Sequence, residues 1–345
     1  MNKRATLKDI AKATGVHVST VSRALDPNRA TPISDDVVKK VQDAARELGY
    51  RPNRAAYSLR TNRTMTIGVM IPDITNTLFP PIVRGIESVM EPKGYASIMV
   101  NTDSQRGREV ALLGTLQERG VDGIIHTAAL RNEPSIVEAA ASGLPIVTLN
   151  RKIEGTEIPY VINDEQAGIA AVFAHLTSFG HRQIAHIAGP ADLSTGKLRR
   201  EGFLAAARAH GLDPSGLAIS EALRFDEEEG ERCAHEILDA APGTTAILGA
   251  NDRLALGALR ALGKRGLTCP GDVSLTGFND MPLLDLIPPG LTTVRIQQFE
   301  AGQTAARHLL SLIRGDVGAV PQRTILPVEL IRRASVAAPR RAARG

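Results

Sequence analysis

Tryptophan is absent from this 345-residue chain, and only seven Phe and four Tyr supply aromatic rings. That scarcity argues against an aromatic cage as the recognition device and favours hydrogen-bonded or aliphatic contacts, with Phe79 and Phe225 as available ring surfaces. Cysteine is scarcer still. Cys233 and Cys269 lie far apart and make no metal-ligand spacing, which fits a reducing compartment. No apolar run is long enough to span a bilayer, and the basic N-terminus leads into a polar helical pattern instead of a signal core. A cytoplasmic protein is expected. The glycines form neither a Walker loop nor a dinucleotide fingerprint, and no nucleophile elbow surrounds any serine. Catalytic residues, cofactors and metal ligands are therefore not expected, and the chain is not read as an enzyme.

What is present is an uneven distribution of charge. Residues 1–65 carry 13 basic and 6 acidic groups, residues 66–331 carry 23 and 31, and residues 332–345 carry 5 and 0. A basic head on an acidic body places polyanion contact at the head. The tail RRASVAAPRRAARG, residues 332–345, is expected to be a disordered, solvated end.

Within residues 1–49, Thr6 and Asp9 have capping-box spacing, and Leu7, Ile10 and Ala11 form an inward face. This first helix should stop near Gly15, and a second should run from Val18 to Leu25 with Val21 and Leu25 inward. Ser34, followed by Asp35 and Asp36, signals a third helix ending at Gly49, with Val37, Val38, Val41, Ala45 and Leu48 covering the pair. A helix-turn-helix of this form directs Val18, Ser19, Ser22 and Arg23 outward. Arg23 suits guanine edges, Ser19 either hydrogen-bonding partner and Val18 a thymine methyl. Thr20, Arg29, Lys39 and Lys40 suit phosphate contact or support. Residues 50–64 then read as a hinge, in which Pro52 and Asn53 favour a helix start and Ala55, Ala56 and Leu59 form a ridge. A helix this short is marginal alone, so it should order only against a partner.

From Thr66 apolar strands alternate with amphipathic helices, first through LPIVTLN at 144–150 and again from about residue 160, which implies two lobes of parallel sheet separated by a cleft. A helix at about 298–314 and a strand near 323–330 are expected to return across the pair and complete residues 65–331. Polar residues recur at predicted strand ends, where open α/β sheets bind ligands: Asp73 and Asn76, Asn150 and Arg151, Asn251 and Asp252, Asn279 and Asp280. Arg199 lies in STGKLRREGF. Their convergence would suit a polyhydroxylated solute.

With TLKDIAKATGV followed by STVSRAL, and with RREGF and ANDRLALG in the body, the sequence resembles the lac repressor and galactose repressor family of bacterial transcription regulators from Thr6 to about Leu330. The resemblance implies an α/β fold with an all-helical helix-turn-helix head, a hinge helix and a two-lobed, periplasmic-binding-protein-like body. It implies Leu59 as a minor-groove wedge, and effector contacts at Leu78, Phe79, Asn150, Arg151, Thr195, Arg199, Phe225, Asn251 and Asn279. A homodimer, double-stranded operator DNA and a sugar, sugar acid or sugar phosphate effector are the implied partners, with repression of carbohydrate genes the expected role. Segments 79–90 and 108–120 are candidate dimer contributors. Several positions depart from the family: His17 replaces Ser at the second helix's N-cap, Tyr57 replaces Arg, and Asn279 replaces Asp. A less acidic pocket follows, and with it an expectation of an acidic or phosphorylated sugar near Arg151 and Arg199. A solute-binding module without a regulatory role would account for residues 66–330 but not for the head and hinge.

Overall fold

Local chemistry sets the helix boundaries of the head. The Asp9 carboxylate accepts the Thr6 backbone N–H at 2.8 Å and the Thr6 hydroxyl at 2.7 Å, which fixes the start of α1 (Leu7–Thr14). Gly15 ends it at φ 70°, a left-handed conformation that costs glycine little. A second helix, α2 (Val18–Ala24), and a third, α3 (Asp35–Glu47), pack on α1 through Ile10, Val21, Ala24, Val38, Val41 and Ala45. Leu48 departs from the sequence reading. The helix ends there, so the period that would bury it no longer applies and the side chain is 42% exposed.

The computed structural model describes residues 5–25, 33–50 and 63–340. Two compact units result, Met1–Thr64 and Met65–Gly345. The expected hinge contacts Asn53, Ala55 and Leu59 lie outside the described residues, as do Arg29, Tyr57 and residues 341–345 of the tail.

In the body, β1 (Thr66–Ile71), β2 (Ala96–Asn101), β3 (Gly123–His126), β4 (Ile146–Leu149) and β5 (Tyr160–Asn163) are joined by β11 (Arg323–Leu326) in one parallel sheet of order β11-β5-β4-β3-β1-β2. The connections include α4 (Phe79–Met90), α5 (Arg106–Glu118) and α6 (Pro134–Ala141). A second parallel sheet, β7-β6-β8-β9, comprises β6 (Ile184–Ala188), β7 (Ile219–Glu221), β8 (Ala246–Gly249) and β9 (Ser274–Thr276). Its helices include α7 (Glu165–Ser178), α8 (Ser194–Ala209), α9 (Glu227–Ala240) and α10 (Asp252–Lys264). A short antiparallel ribbon pairs β10 (Thr293–Arg295) with β12 (Glu329–Ile331).

The second set of elements does not begin at residue 160, as the sequence suggested, whereas the return expected near residues 323–330 is made. Strand β5 pairs in the first sheet and runs directly into α7, while β11 returns to pair with β5. Between these, α11 (Gln298–Arg314) packs on α4 so closely that a Cβ at Gly302 would lie 2.1 Å from the Ile82 carbonyl oxygen.

The expectation of a disordered tail is also corrected for residues 332–340. Ser335 is buried and donates its hydroxyl to the Leu275 carbonyl at 2.6 Å, while the Ala337 N–H donates to Ser274 Oγ at 3.1 Å. Arg333 pairs with Asp280 at 2.6 Å, and Arg340 with Asp272. The segment satisfies the backbone edge of β9, so its basic groups anchor structure instead of remaining solvated.

Candidate ligand cleft and nucleic-acid face

On the head, His17 does work that its residue type did not advertise. Its Nδ1 accepts the Ser19 backbone N–H at 3.3 Å and lies 2.8 Å from Ser19 Oγ, so the imidazole caps α2 in place of the usual hydroxyl. Ser19 and Arg23 are exposed, and Val18, Thr20 and Ser22 are half-buried on the same short helix. Arg23 Nε donates to the Ser19 carbonyl at 3.3 Å, which extends the guanidinium along the helix surface. Lys39 and Lys40 are exposed on α3.

In the body, all nine effector contacts implied by the resemblance surround one cavity of about 340 Å³, open mouth included. Leu78 and Phe79 come from the start of α4, Asn150 and Arg151 from the end of β4, and Thr195 and Arg199 from α8. Phe225 precedes α9, Asn251 caps α10, and Asn279 follows β9; Asn76 completes the lining. Two strand-end residues turn the chain sharply, Asn150 at φ 67° and Asn279 at φ 118°. Asn enters positive φ more readily than most side-chain-bearing residues, which helps explain this residue type at both turns. Asn251 accepts the Leu254 N–H at 2.8 Å, so it serves as an N-cap while lining the cavity.

Of the strand-end candidates, Asp73, Asp252 and Asp280 are not in the lining. The Asp73 carboxylate accepts from the Thr75 N–H and hydroxyl and pairs with Arg253 Nη1 at 3.1 Å, which draws it out of the lining. Arg253 also forks onto Glu227 at 2.7 and 2.8 Å. Asp73 therefore bridges the lobes beside the cleft, because the nearest cation captures it.

None of the ten lining residues carries a carboxylate. Arg199, 2% exposed, is neutralised from behind: Nε meets Glu165 at 2.5 Å, Nη1 donates to the Ala250 carbonyl at 2.6 Å, and the guanidinium lies 3.9 Å from the Phe278 ring centre. Burial pushes the Glu165 carboxyl above its ordinary range, opposed by the Arg199 charge. Arg151 differs. Its Nη1 donates to the Ala128 carbonyl at 3.0 Å, no carboxylate lies within 4 Å among the described residues, and burial brings its pKa down to about 10. The Thr195 hydroxyl is buried without a hydrogen-bond partner. The cavity thus offers donors and carboxamides, one unsatisfied hydroxyl and one cation without a contacting counter-ion.

Sequence reasoning missed Glu165, because an acidic residue in a helix's first turn ordinarily reads as a partner of the helix dipole. It also missed a buried cluster behind Arg151, in which Glu109 and Glu133 meet His126 at the end of β3.

Residues 6–53 match the bacterial regulatory proteins of the lacI family, and residues 173–336 match the periplasmic binding protein-like domain. The chain is similar to the ribose operon repressor of Bacillus subtilis (strain 168), with 32% identity covering 90% of this chain and 92% of the relative. Among solved structures it is similar to the lac repressor dimer bound to operator and the anti-inducer ONPF, at a TM-score of 0.83 and 30% identity, covering 97% of this chain and 100% of that one. A LacI family transcriptional regulator from Enterococcus faecium with bound ribose gives a TM-score of 0.70 at 33% identity, covering 79% of this chain and 99% of that one.

Proposed function

Because the chain belongs to the lacI family of bacterial regulatory proteins, we propose that it is a cytoplasmic homodimer that represses genes of carbohydrate or sugar-acid metabolism, with operator affinity set by a small solute in the cleft. The head supplies sequence recognition through Val18, Ser19 and Arg23 on α2, and Leu59 in the hinge segment wedges into the minor groove. Two heads on one dimer read a pseudopalindrome, which gives the site length that a single head lacks. Exposed apolar residues on the first lobe, Met99 on the edge strand β2 and Val110 on α5, support a self-association surface there. Among the described residues no helix is long and apolar enough to cross a membrane.

The observation that carries the ligand reading is the charge of the cleft. A lining without carboxylates, in which Arg199 is already balanced by Glu165 and Arg151 is not contacted by any, suits a polyhydroxylated solute bearing a carboxylate or phosphate. The carboxamides of Asn150, Asn251 and Asn279 and the Thr195 hydroxyl are placed to meet hydroxyls, with Phe79 and Phe225 as apolar walls. Relatives named for ribose favour a ligand of sugar size. Titrating the full chain with paired neutral and acidic sugars tests this class directly. Preference for the acid is expected, and a clear preference for a neutral pentose or hexose overturns it. The regulatory role is tested by Arg23→Ala, which should abolish selective capture of genomic duplexes while leaving solute binding intact. Absence of duplex binding by the unmodified protein would leave only a solute-binding module.

A further inference from the structure

Glu109, His126 and Glu133 are 2%, 0% and 2% exposed, and they come together from α5, the end of β3 and the residue before α6. His126 Nε2 rests against Glu109 Oε1 and lies 3.4 Å from Glu133 Oε2. Glu133 Oε2 also accepts the Leu130 N–H at 2.9 Å. Two buried carboxylates and an imidazole are the donor set of many metal sites, but the other face of this ring opposes that use. Nδ1 accepts the Ala128 N–H at 3.3 Å, so the ring proton sits on Nε2, on the side of the ring where both carboxylates lie. A metal-binding imidazole needs the reverse, a lone pair at Nε2 and a proton at Nδ1 given to an acceptor. Against burial, the two carboxylates push the imidazole up to about 9, but a second ring proton would have to sit on Nδ1 facing the Ala128 N–H, and that hydrogen bond keeps the ring singly protonated.

The cluster is instead continuous with the cleft. Ala128 receives Arg151 Nη1 at its carbonyl, at 3.0 Å, and gives its N–H to His126 Nδ1. The backbone of one residue, through its two adjacent peptide groups, therefore links the cluster's imidazole to the guanidinium in the ligand cavity. We propose that Glu109, His126 and Glu133 are positioning residues for Arg151, and that the proton they share sets how tightly the cleft holds an anionic solute.

The direction follows from the charges. Glu133 is held ionised, at a pKa of about 2; burial acts against this, but the hydrogen bonds from His126, Glu109 and the Leu130 N–H outweigh it. Glu109 carries the exchangeable proton, with its carboxyl pushed up to about 7 by burial, opposed by His126 and reinforced by Glu133. Above that point a second negative charge stands behind Arg151 and offsets its attraction for a ligand anion. Below it, the field at Arg151 is more positive. The remaining charges facing Arg151 are Asp192, which adds to the offset, and Arg199, which opposes it and is itself paired with Glu165. Linkage requires the reciprocal effect, so an anion in the cleft raises the proton affinity of Glu109.

This inference rests on the cleft being the ligand site, and two readouts on the full chain separate the claims. The first needs no ligand. In protein labelled with 15N-histidine, the resonance missing from His126→Gln should report an unprotonated Nδ1 and titrate near neutrality. Glu109→Gln should abolish that titration, and Arg151→Gln should move its midpoint upward, because a nearby cation has been lost. A midpoint unmoved in Arg151→Gln overturns the proposal, as does a stoichiometric first-row metal that Glu109→Gln releases.

The second readout is calorimetry with D-ribose and D-ribonate, whose carboxylate stays ionised across the range used. Ribonate should bind about three- to tenfold more tightly at pH 6 than at pH 8, since each unit by which bound anion shifts the proton affinity is tenfold in binding. Ribose should show no such change, and Glu109→Gln should hold ribonate near its low-pH affinity throughout. Ribonate binding that is independent of pH overturns the proposal. Failure of both sugars to bind would count against the ligand class, while the histidine titration still decides the relay.

Discussion

Replacing Arg199 with Met removes the charge that balances Glu165 while keeping much of the side-chain volume. The guanidinium is 2% exposed and contacts Glu165, the Ala250 carbonyl and the face of Phe278. The stranded carboxylate is buried to the same degree, and its second oxygen already lacks a partner. Breaking a buried pair from one side costs about 3–5 kcal/mol, because an uncompensated charge remains. For a body of this size each kcal/mol corresponds to about 2–4 °C in melting temperature, so Arg199→Met should lower it by on the order of 10 °C.

The loss should also depend on pH. Glu165 in the variant has a folded-state pKa raised further above its unfolded value, so the native state holds a proton that the unfolded chain has released. Stability contributed by that proton is complete below the unfolded pKa and is lost as pH rises through the folded one. Circular dichroism melts should accordingly show a smaller deficit at pH 5 than at pH 8. Adding Glu165→Gln, which removes the charge itself, should recover a large part of the deficit at pH 8. A single variant melting within about 2 °C of the parent, or a double variant no better than the single, would refute the assignment of this pair as a mutually dependent buried unit.

Two other perturbations follow from close contacts. His17→Ala removes the imidazole that caps α2 and should weaken operator binding roughly two- to fivefold, in line with about 1 kcal/mol for a lost N-cap, whereas His17→Ser should retain it; fluorescence anisotropy with labelled duplex distinguishes them. Gly302→Ala drives a methyl group against the Ile82 carbonyl at the contact between α11 and α4, and should cost about 1–3 kcal/mol in urea denaturation with solute specificity unchanged.

Long periodic elements were legible because their pattern repeats several times. The strand that begins at Thr66 and the helix expected at about 298–314 fall where the pattern placed them, at Thr66–Ile71 and Gln298–Arg314. Strands β5, β7 and β10 are three or four residues long, too short to establish a period, and β5 passes directly into a helix. Missing β5 left the return expected near residues 323–330 without its pairing partner in the first sheet. Cleft residues could be located because the ends of parallel strands gather polar groups in one place. Asp73 carries the same signal as Asn150, yet Arg253, 180 residues later, decides where it points. The Glu165–Arg199 pair and the link from His126 through Ala128 to Arg151 depend on contacts between distant segments, which spacing along the chain does not encode. For the tail, composition suggested solvation, whereas Ser335 and Ala337 supply the hydrogen bonds that hold it.

Free-energy coupling between the cleft and the DNA-binding head is read out by operator affinity. Operator affinity of the purified dimer is measured by anisotropy at fixed salt, first alone and then with the cleft saturated by the tightest-binding sugar acid or sugar phosphate. A coupling of about 1–3 kcal/mol predicts a change of roughly 5–150-fold, in either direction. Identical operator affinity with the cleft filled and empty would contradict it.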